Sequence, residues 1–511
     1  MKAKLQISED TTEANLTGLW RAGPAPKYIY KKSPCRIACP LEQVIPEALR
    51  LVRNGKIKDA WELWTRSNPL PTVSGRVCRR FCETECNRGN YDESVNIGDL
   101  EKFLGDKALE NDWTTDFPSN SYSKNRIAVI GAGPAGLAAA YFLRKEGLKL
   151  DIFEKEKKLG GFMRLIPEWR LPRDVLDKEI ENILKKQNNN EVTVARNIEL
   201  NENFIANSLK NYYSAVIIAT GAQKRISLNL RGENSPKVIH SLDFLAGKLS
   251  KSELKKKPSK IIVIGGGDTA MDTARSAKRL FNSAEIKIVC RENEENIPAQ
   301  KEELQAAFIE NIAFRYCAQP IEIRDWDDYL KVGFLETENY VEDNRLKFLL
   351  ISHYFSEMTD WLIIAAGAKT ELPFFIQEVQ KEKFFIVGDA LNGPSFVAKA
   401  IASAKNVIPE LLNFLKTGKR EPDEKIQSKA AGISDINLAY FEKRKRSACP
   451  EEAERCFGCG MCVKCRNCEE YCPDLAVLEN KKGEYEIDEN YCKGCGICAK
   501  ECPTGIIATN H

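Results

Sequence analysis

Two cysteine runs near the end of the chain carry its most legible chemistry. Cys462, Cys465, Cys468 and Cys472 precede Pro473, and Cys492, Cys495, Cys498 and Cys502 precede Pro503, so the pattern CxxCxxCxxxCP occurs twice. With this spacing three thiolates wrap one [4Fe-4S] cube while the fourth reaches across to the other. One cube should therefore take Cys462, Cys465, Cys468 and Cys502, and its neighbour Cys492, Cys495, Cys498 and Cys472. Paired four-cysteine zinc sites are the rival reading, which the doubled proline-terminated pattern disfavours. Cys449, Cys456 and Cys459 lie just upstream. A register sliding upstream to Cys456 is also possible but loses the CP ending, so Cys456 and Cys459 are expected as spare or packing residues.

A second group, Cys35, Cys39, Cys78, Cys82 and Cys86, has CxxxC spacing. Five thiols can hold one cube and cannot alone hold two. Zinc is again the rival, although it favours CxxC pairs. Cys290 and Cys317 stand alone in strand-like sequence and read as small buried hydrophobes. There are only three histidines, His240, His353 and His511, none near another. No side-chain constellation for acid–base or nucleophilic catalysis is expected.

Between the cysteine groups lie two glycine fingerprints. Gly131, Ala132, Gly133, Pro134, Ala135 and Gly136 follow an apolar strand and open an Ala-rich helix. The first glycine makes the turn, the second admits a pyrophosphate, and the third lets helix and strand pack closely. The helix N-terminus offers N–H groups to the phosphates. Glu154, followed by Lys155, ends the next strand, where a carboxylate can accept the hydroxyls of an adenosine ribose. Gly265, Gly267, Asp268, Thr269 and Ala270 form the second fingerprint, and its second strand ends in Arg291-Glu292. A 2′-phosphate would want cations there. Glu292 favours the unphosphorylated nicotinamide cofactor, while Arg275 or Arg279 could still reach a phosphate.

Both halves return to buried strands ending in glycine, at Thr220-Gly221 and Ala366-Gly367. The first fingerprint is also joined by Gly160-Gly161 and by Gly388-Asp389, with Ser395 beyond. An aspartate at such a late strand end can hydrogen-bond a flavin ribityl chain, and the Asn392 to Ala404 segment should present a helix N-terminus to the flavin. The first site is therefore assigned to FAD and the second to NAD(H), with NADP(H) the lesser choice. No CxxC lies between the fingerprints, so a disulfide-reductase dithiol is missing.

The elements that must hold these residues follow from length and pattern. A chain of 511 residues and 57.6 kDa exceeds a single core. The predicted fold is multidomain α/β: an N-terminal α-helical iron–sulfur domain (1–122), an FAD domain (123–254 and 372–419), an inserted NAD(P)H domain (255–371), a linker (420–455) and a C-terminal ferredoxin-like domain (456–511). The two dinucleotide domains are expected to be Rossmann-like. Leu41 to Trp64 is apolar at helical spacing with a break at Gly55, predicting a helix pair. Residues 420–455 are polar and weakly patterned, suiting a tether or an arm draped on another surface. A net charge of +3 argues against nucleic acid as a partner. No leader and no apolar run of spanning length is evident, and clustered cysteines suit metal binding, so a cytoplasmic location is expected.

The motifs PCRIACP, LPTVSGRVCRRFCETEC, VIGAGPAGLAAA, GGFMRLIPEWRLP, VIIATGA, VIGGGDTAMDTAR and FFIVGDALNGPS, spread over Cys35 to Ala404, resemble the small subunit of glutamate synthase and the matching portion of dihydropyrimidine dehydrogenase. The resemblance implies one FAD, one nicotinamide site and N-terminal cubes. Relatives with two N-terminal cubes carry a CxxC shortly before the CxxxCP pair, and KYIYKKSPC has none. That leaves only Cys35 and Cys86 for the proximal cube and predicts its loss. The surviving cube would use Cys39, Cys78 and Cys82. In dihydropyrimidine dehydrogenase a glutamine supplies the fourth ligand, and Glu101 takes that place here; Cys35 is the competing fourth ligand. Three cubes are expected in all.

The appended ferredoxin run resembles the NAD-linked subunits of anaerobic complexes such as phenylglyoxylate dehydrogenase. That implies an electron-transfer subunit exchanging hydride between NAD(H) and FAD and single electrons with other subunits of a hetero-oligomeric enzyme, such as a thiamine-diphosphate 2-oxoacid oxidoreductase. The alternative is a stand-alone NAD(P)H:ferredoxin oxidoreductase, working on soluble ferredoxin, or a glutamate synthase small subunit.

Overall fold

The computed structural model describes residues 23–118, 125–185, 192–200, 205, 209–248, 257–343, 345–370, 383–421 and 429–509. The chain divides into two compact units, one built from residues 116–421 and the other from the two ends, 1–115 with 422–511.

In the first unit, apolar runs buried on both faces form two parallel sheets, as strands covered by helices must. One sheet runs in the order Phe384–Ile386, Ala215–Ile218, Arg126–Ile130, Lys149–Phe153 and Val192–Ala195. The other runs Ala313–Arg315, Glu285–Val289, Lys260–Ile264, Trp361–Ile364 and Val238–His240. The first sheet receives its last strand only after the second sheet is complete, so the domain built on the second sheet is an insertion. It begins earlier than expected, because Val238–His240 pairs with Trp361–Ile364. The expected boundary near 372 lies outside the described residues. A three-stranded antiparallel sheet, Ala318–Asp325, Leu330–Glu342 and Arg345–Thr359, is appended to the insertion.

The second unit joins the two cysteine-rich ends. Ile45–Arg53 buries Ile45, Ala48, Leu49 and Val52 on one face, and Ile57–Thr65 buries Ala60, Trp61 and Trp64. Gly55, at φ +71°, makes the break between them. Pro71–Val77 lies very close to Ile97–Glu110, since a Cβ on Gly75 would stand 2.6 Å from Lys102 Cα and one on Gly105 2.5 Å from Thr72 N. The ferredoxin portion has two short helices, Asn467–Glu470 and Ile497–Lys500, and the hairpin Val477–Glu479 with Tyr485–Ile487. Its last strand, Ile507–Ala508, pairs antiparallel with Lys27–Tyr28 from the other end of the chain.

The described part of the expected linker is an arm laid on the helical region. Ala431 N donates to Lys32 O at 2.9 Å, and Asn87 Nδ2 donates to Ala431 O at 3.0 Å. Arg455, only 1% exposed, bonds Glu452 Oε1 at 2.7 Å, Asp92 Oδ1 at 3.0 Å and Glu93 O at 2.6 Å. Buried charge is tolerable only with this degree of pairing. Among the described residues no helix is long and apolar enough to cross a membrane.

Candidate functional site

At the first fingerprint, Gly131 turns at φ +97° and the helix Pro134–Lys145 follows. A Cβ on Gly136 would stand 1.9 Å from Gly131 O, so close packing requires glycine there. Around Gly133, by contrast, the nearest atom to a Cβ is Gly161 Cα at 3.9 Å. Glu154 is buried and faces back to the turn: its Oε2 accepts from Ala132 N at 2.8 Å and its Oε1 from Glu156 N at 2.9 Å. Gly160 N donates to Ala132 O at 2.8 Å, which seats the Gly160-Gly161 pair on the fingerprint. Gly388 reaches the same place, since its Cβ would come within 2.6 Å of Ala135 Cβ. Asp389 follows it, accepting from Ser395 Oγ at 2.5 Å, and burial raises its carboxyl against that hydrogen bond. The long helix starts at Val397, after a one-turn helix Asp389–Asn392. Lys155 is bonded to Gln223, whose amide also donates to Thr220 O at 2.9 Å, and Gly221 turns beside them at φ +75°.

At the second fingerprint Gly265 has φ +134° and no room for a Cβ, which would meet Ala365 O at 2.5 Å. Gly267 caps the helix Asp268–Leu280 with open space around it, a cradle that a side chain would fill. Asp268 accepts from Gln300 N at 2.8 Å, and Thr269 O from Thr273 Oγ1 at 2.6 Å. Ala270 is fully buried, and Gly367 turns at φ +95° after Ala366. Glu292 Oε2 lies over the glycine turn, 3.0 Å from where a Gly266 Cβ would stand. Arg291 stacks on Phe348 at 4.2 Å and also pairs with Glu292, its Nε 3.4 Å from Glu292 Oε1. Arg275 and Arg279 face away from a phosphate role: both pair with Glu310, and both lie over the Trp169 ring at 4.1 and 4.2 Å. Arg170 pairs with Asp272 and Glu303, each at 3.1 Å, tying the segment after Gly160-Gly161 to the nicotinamide domain. Sequence reasoning missed Trp169, Arg170 and Phe348, whose roles depend on partners far along the chain.

The ferredoxin thiols lie in two adjoining neighbourhoods. Cys472, Cys492, Cys495 and Cys498 line one cavity together with Pro26. Cys465 and Cys468 each lie within electrostatic reach of Cys462 and Cys502. Tyr28, which the sequence did not mark, donates its hydroxyl to Cys468 Sγ at 3.4 Å. Burial, with Cys472, Cys492 and Cys495 adding to it, pushes the Cys498 thiol up to about 12. Thiols kept protonated by burial and mutual repulsion are stabilised as thiolates by a cationic iron core.

In the helical region Cys82 lies within electrostatic reach of Cys39 and Cys78, and Glu101 is beside Cys78. Burial, with Glu101 next, pushes the Cys78 thiol up to about 12. The Glu101 carboxylate is buried, and its Oε1 accepts from Trp64 Nε1 at 3.0 Å, Asn68 Nδ2 at 2.6 Å and Ser74 Oγ at 2.9 Å. These three donors leave Oε2 for other use. Cys86 lies near Cys35, the pair left over for the proximal cube, and Cys456 and Cys459 join them there. Cys456 and Cys459 are therefore not isolated spares. Among the described residues no three His, Cys, Asp or Glu side chains converge closely enough to hold a single metal ion.

Residues 125–404 match the family model of pyridine nucleotide-disulphide oxidoreductases, and the chain belongs to this family. Residues 29–113 match the model of dihydropyrimidine dehydrogenase domain II, 4Fe-4S cluster, and residues 485–508 match that of the 4Fe-4S binding domain. Among relatives, the glutamate synthase [NADPH] small chain of Halomonas elongata is 32% identical over 75% of this chain and 88% of its own. The putative oxidoreductase YgfK of Escherichia coli K12 is 30% identical over 92% of this chain. The chain spans about half the length of YgfK, 48% of it. FprA of Mycobacterium tuberculosis in complex with NADPH shares the fold, with a TM-score of 0.51, 18% identity and coverage of 59% of this chain and 88% of that one. The chain is therefore a member of an oxidoreductase family that uses flavin and pyridine nucleotide, with matches to iron–sulfur domains at both ends.

Proposed function

We propose that this chain is an NAD(P)H oxidoreductase of the glutamate synthase small-chain type that exchanges electrons with ferredoxin or a comparable one-electron acceptor. The observation carrying this reading is the pair of glycine turns in one compact unit, each backed by a strand-end glutamate, Glu154 and Glu292. The relatives, several of them glutamate synthase small chains, support it better than the competing reading of a 2-oxoacid dehydrogenase subunit.

Bound FAD supplies hydride exchange with nicotinamide and one-electron exchange with iron–sulfur cubes. The chain's own residues bind and orient. Gly133 and Gly267 leave room for pyrophosphates at helix N-termini. Glu154 and Glu292 offer carboxylates to ribose hydroxyls, and Glu292 favours NADH because a 2′-phosphate would be repelled there. Asp389, held by Ser395, would accept hydrogen bonds from the flavin ribityl chain. At the iron sites Cys39, Cys78, Cys82 and Glu101 suit one cube, and the eight ferredoxin cysteines suit two.

The test is anaerobic turnover of the purified chain with NADH and soluble ferredoxin as the only acceptor. Sustained ferredoxin reduction is expected. Flavin reduction without ferredoxin turnover, restored only by a co-purifying catalytic subunit, would overturn this reading in favour of the multisubunit one.

A further inference from the structure

Cys35, Cys86, Cys456 and Cys459 come from three distant stretches of sequence, yet they meet in one place. Cys35 lies within electrostatic reach of Cys86, Cys456 and Cys459, and Cys456 within reach of Cys86 and Cys459. Cys35, Cys86 and Cys456 pack on the same helical core, and Asn87 Nδ2 donates to Cys459 Sγ at 3.5 Å. The meeting is enforced: Arg88 Nη1 donates to Arg455 O at 2.6 Å, and Arg455 itself is pinned to Asp92 and Glu93 O.

The backbone at Cys456 repeats that of the ferredoxin loops. In Cys456-Phe-Gly-Cys459-Gly, Gly458 and Gly460 have φ of +69° and +73°. In Cys492-Lys-Gly-Cys495-Gly, Gly494 and Gly496 have φ of +70° and +76°. Between them, Cys462-Val-Lys-Cys465-Arg keeps the left-handed pattern without glycine, with Lys464 at +57° and Arg466 at +70°. Gly458 N donates to Cys456 Sγ at 3.4 Å, as Gly494 N does to Cys492 Sγ at 3.4 Å. Such turns aim successive N–H groups at an anion or a cluster sulfur. Three copies of one loop are a poor fit to two cubes alone.

Two arginines nearby each carry a buried nitrogen without an acceptor among the described residues. Arg36 Nε and Arg50 Nε are buried without a hydrogen-bond acceptor, next to Cys35 in sequence and within electrostatic reach of Cys462 respectively. Arg53 reaches Cys456.

We propose that Cys35, Cys86, Cys456 and Cys459 hold a fourth [4Fe-4S] cluster, whose ligands are shared between the two ends of the chain. It lies between the Cys39–Cys78–Cys82 group, through the neighbouring Cys35 and Cys82, and the ferredoxin loop that begins at Cys462. The helical region and the ferredoxin portion then form one electron path rather than two separate exits.

Iron, sulfide, zinc and FAD are measured on the anaerobically purified full chain, alongside the variants Cys456→Ala/Cys459→Ala and Cys449→Ala. The wild type should hold about 16 iron and about 16 sulfide per FAD, four for each of four cubes. The double variant should fall to about 12 while keeping FAD. Cys449→Ala, on the same core but outside the foursome, should keep the wild-type count. A wild type with about 12 iron, with or without one zinc, overturns the proposal, and so does a double variant that loses no iron. Should the double variant fail to fold, the wild-type count decides. A chain that binds FAD and about 12 iron would leave the proposed function intact and reject only this cluster.

Discussion

Tyr28 Oη donates a hydrogen bond to Cys468 Sγ across 3.4 Å, from a strand at one end of the chain to a cluster loop at the other. The strand pairing of Tyr28 with Ile507 fixes that geometry. Hydrogen bonds to cluster sulfurs stabilise the more negative, reduced state. Tyr28→Phe should therefore lower the potential of the Cys462-side cube by about 20–40 mV, equivalent to roughly 0.5–1 kcal/mol of hydrogen bond. Iron content should not change. An EPR-monitored redox titration reads the shift, and an unchanged potential would show that the bond does not tune the cube.

The two fingerprints should respond differently to added methyl groups. Gly136→Ala would drive a Cβ to 1.9 Å from Gly131 O and should cost the chain its FAD. Gly267→Ala meets no protein atom within 4 Å. It should leave FAD content and melting temperature unchanged while raising the KM for NADH by about tenfold, roughly 1.4 kcal/mol of lost phosphate approach. An unchanged KM in Gly267→Ala would remove the pyrophosphate from that cradle.

Cofactor preference turns on Glu292. With Arg291 stacked on Phe348 and Arg279 paired with Glu310, NADH should exceed NADPH in kcat/KM with a viologen acceptor. Glu292→Arg should shift the ratio toward NADPH. A clear wild-type preference for NADPH would contradict the assignment.

Docking of the C-terminal arm should depend on acid. Burial alone would raise the Asp92 carboxyl, but hydrogen bonds from Arg88 and from the Arg444 and Glu93 backbone hold it well below the usual range. A carboxyl depressed in the folded state stabilises fully above its ordinary pKa near about 4, and that stability drains away as pH falls through the depressed value. Protection of residues 429–459 against hydrogen exchange, measured relative to the intrinsic rate at each pH, should thus be high at neutral pH and fall in acid, and Asp92→Asn should show low protection throughout. Arg455→Ala should cost about 3–5 kcal/mol, since it leaves Glu452 buried and unpaired.

The candidate chemistry is legible in the sequence where local spacing decides it. The glycine turns, the strand-end glutamates and the eight ferredoxin cysteines are all legible because turn, strand and loop geometry lie within a few residues. The insertion was equally readable from the return of Gly388-Asp389 late in the chain. Cys86 was not, because its neighbours Cys456 and Cys459 are brought to it by Arg455 and Arg88 across most of the sequence length. Arg275 and Arg279 looked free for a phosphate and are instead held by Glu310 and Trp169. One signal was present and unused: CFGCG at Cys456 repeats the CKGCG at Cys492.

The most direct test of the account is an anaerobic titration of the purified chain with NADH, following flavin absorbance and the EPR of frozen samples. The flavin should bleach, and reduced-cluster signals should then grow with further NADH. Bleaching of the flavin with the clusters left oxidised, even with excess NADH and hours of incubation, would contradict it.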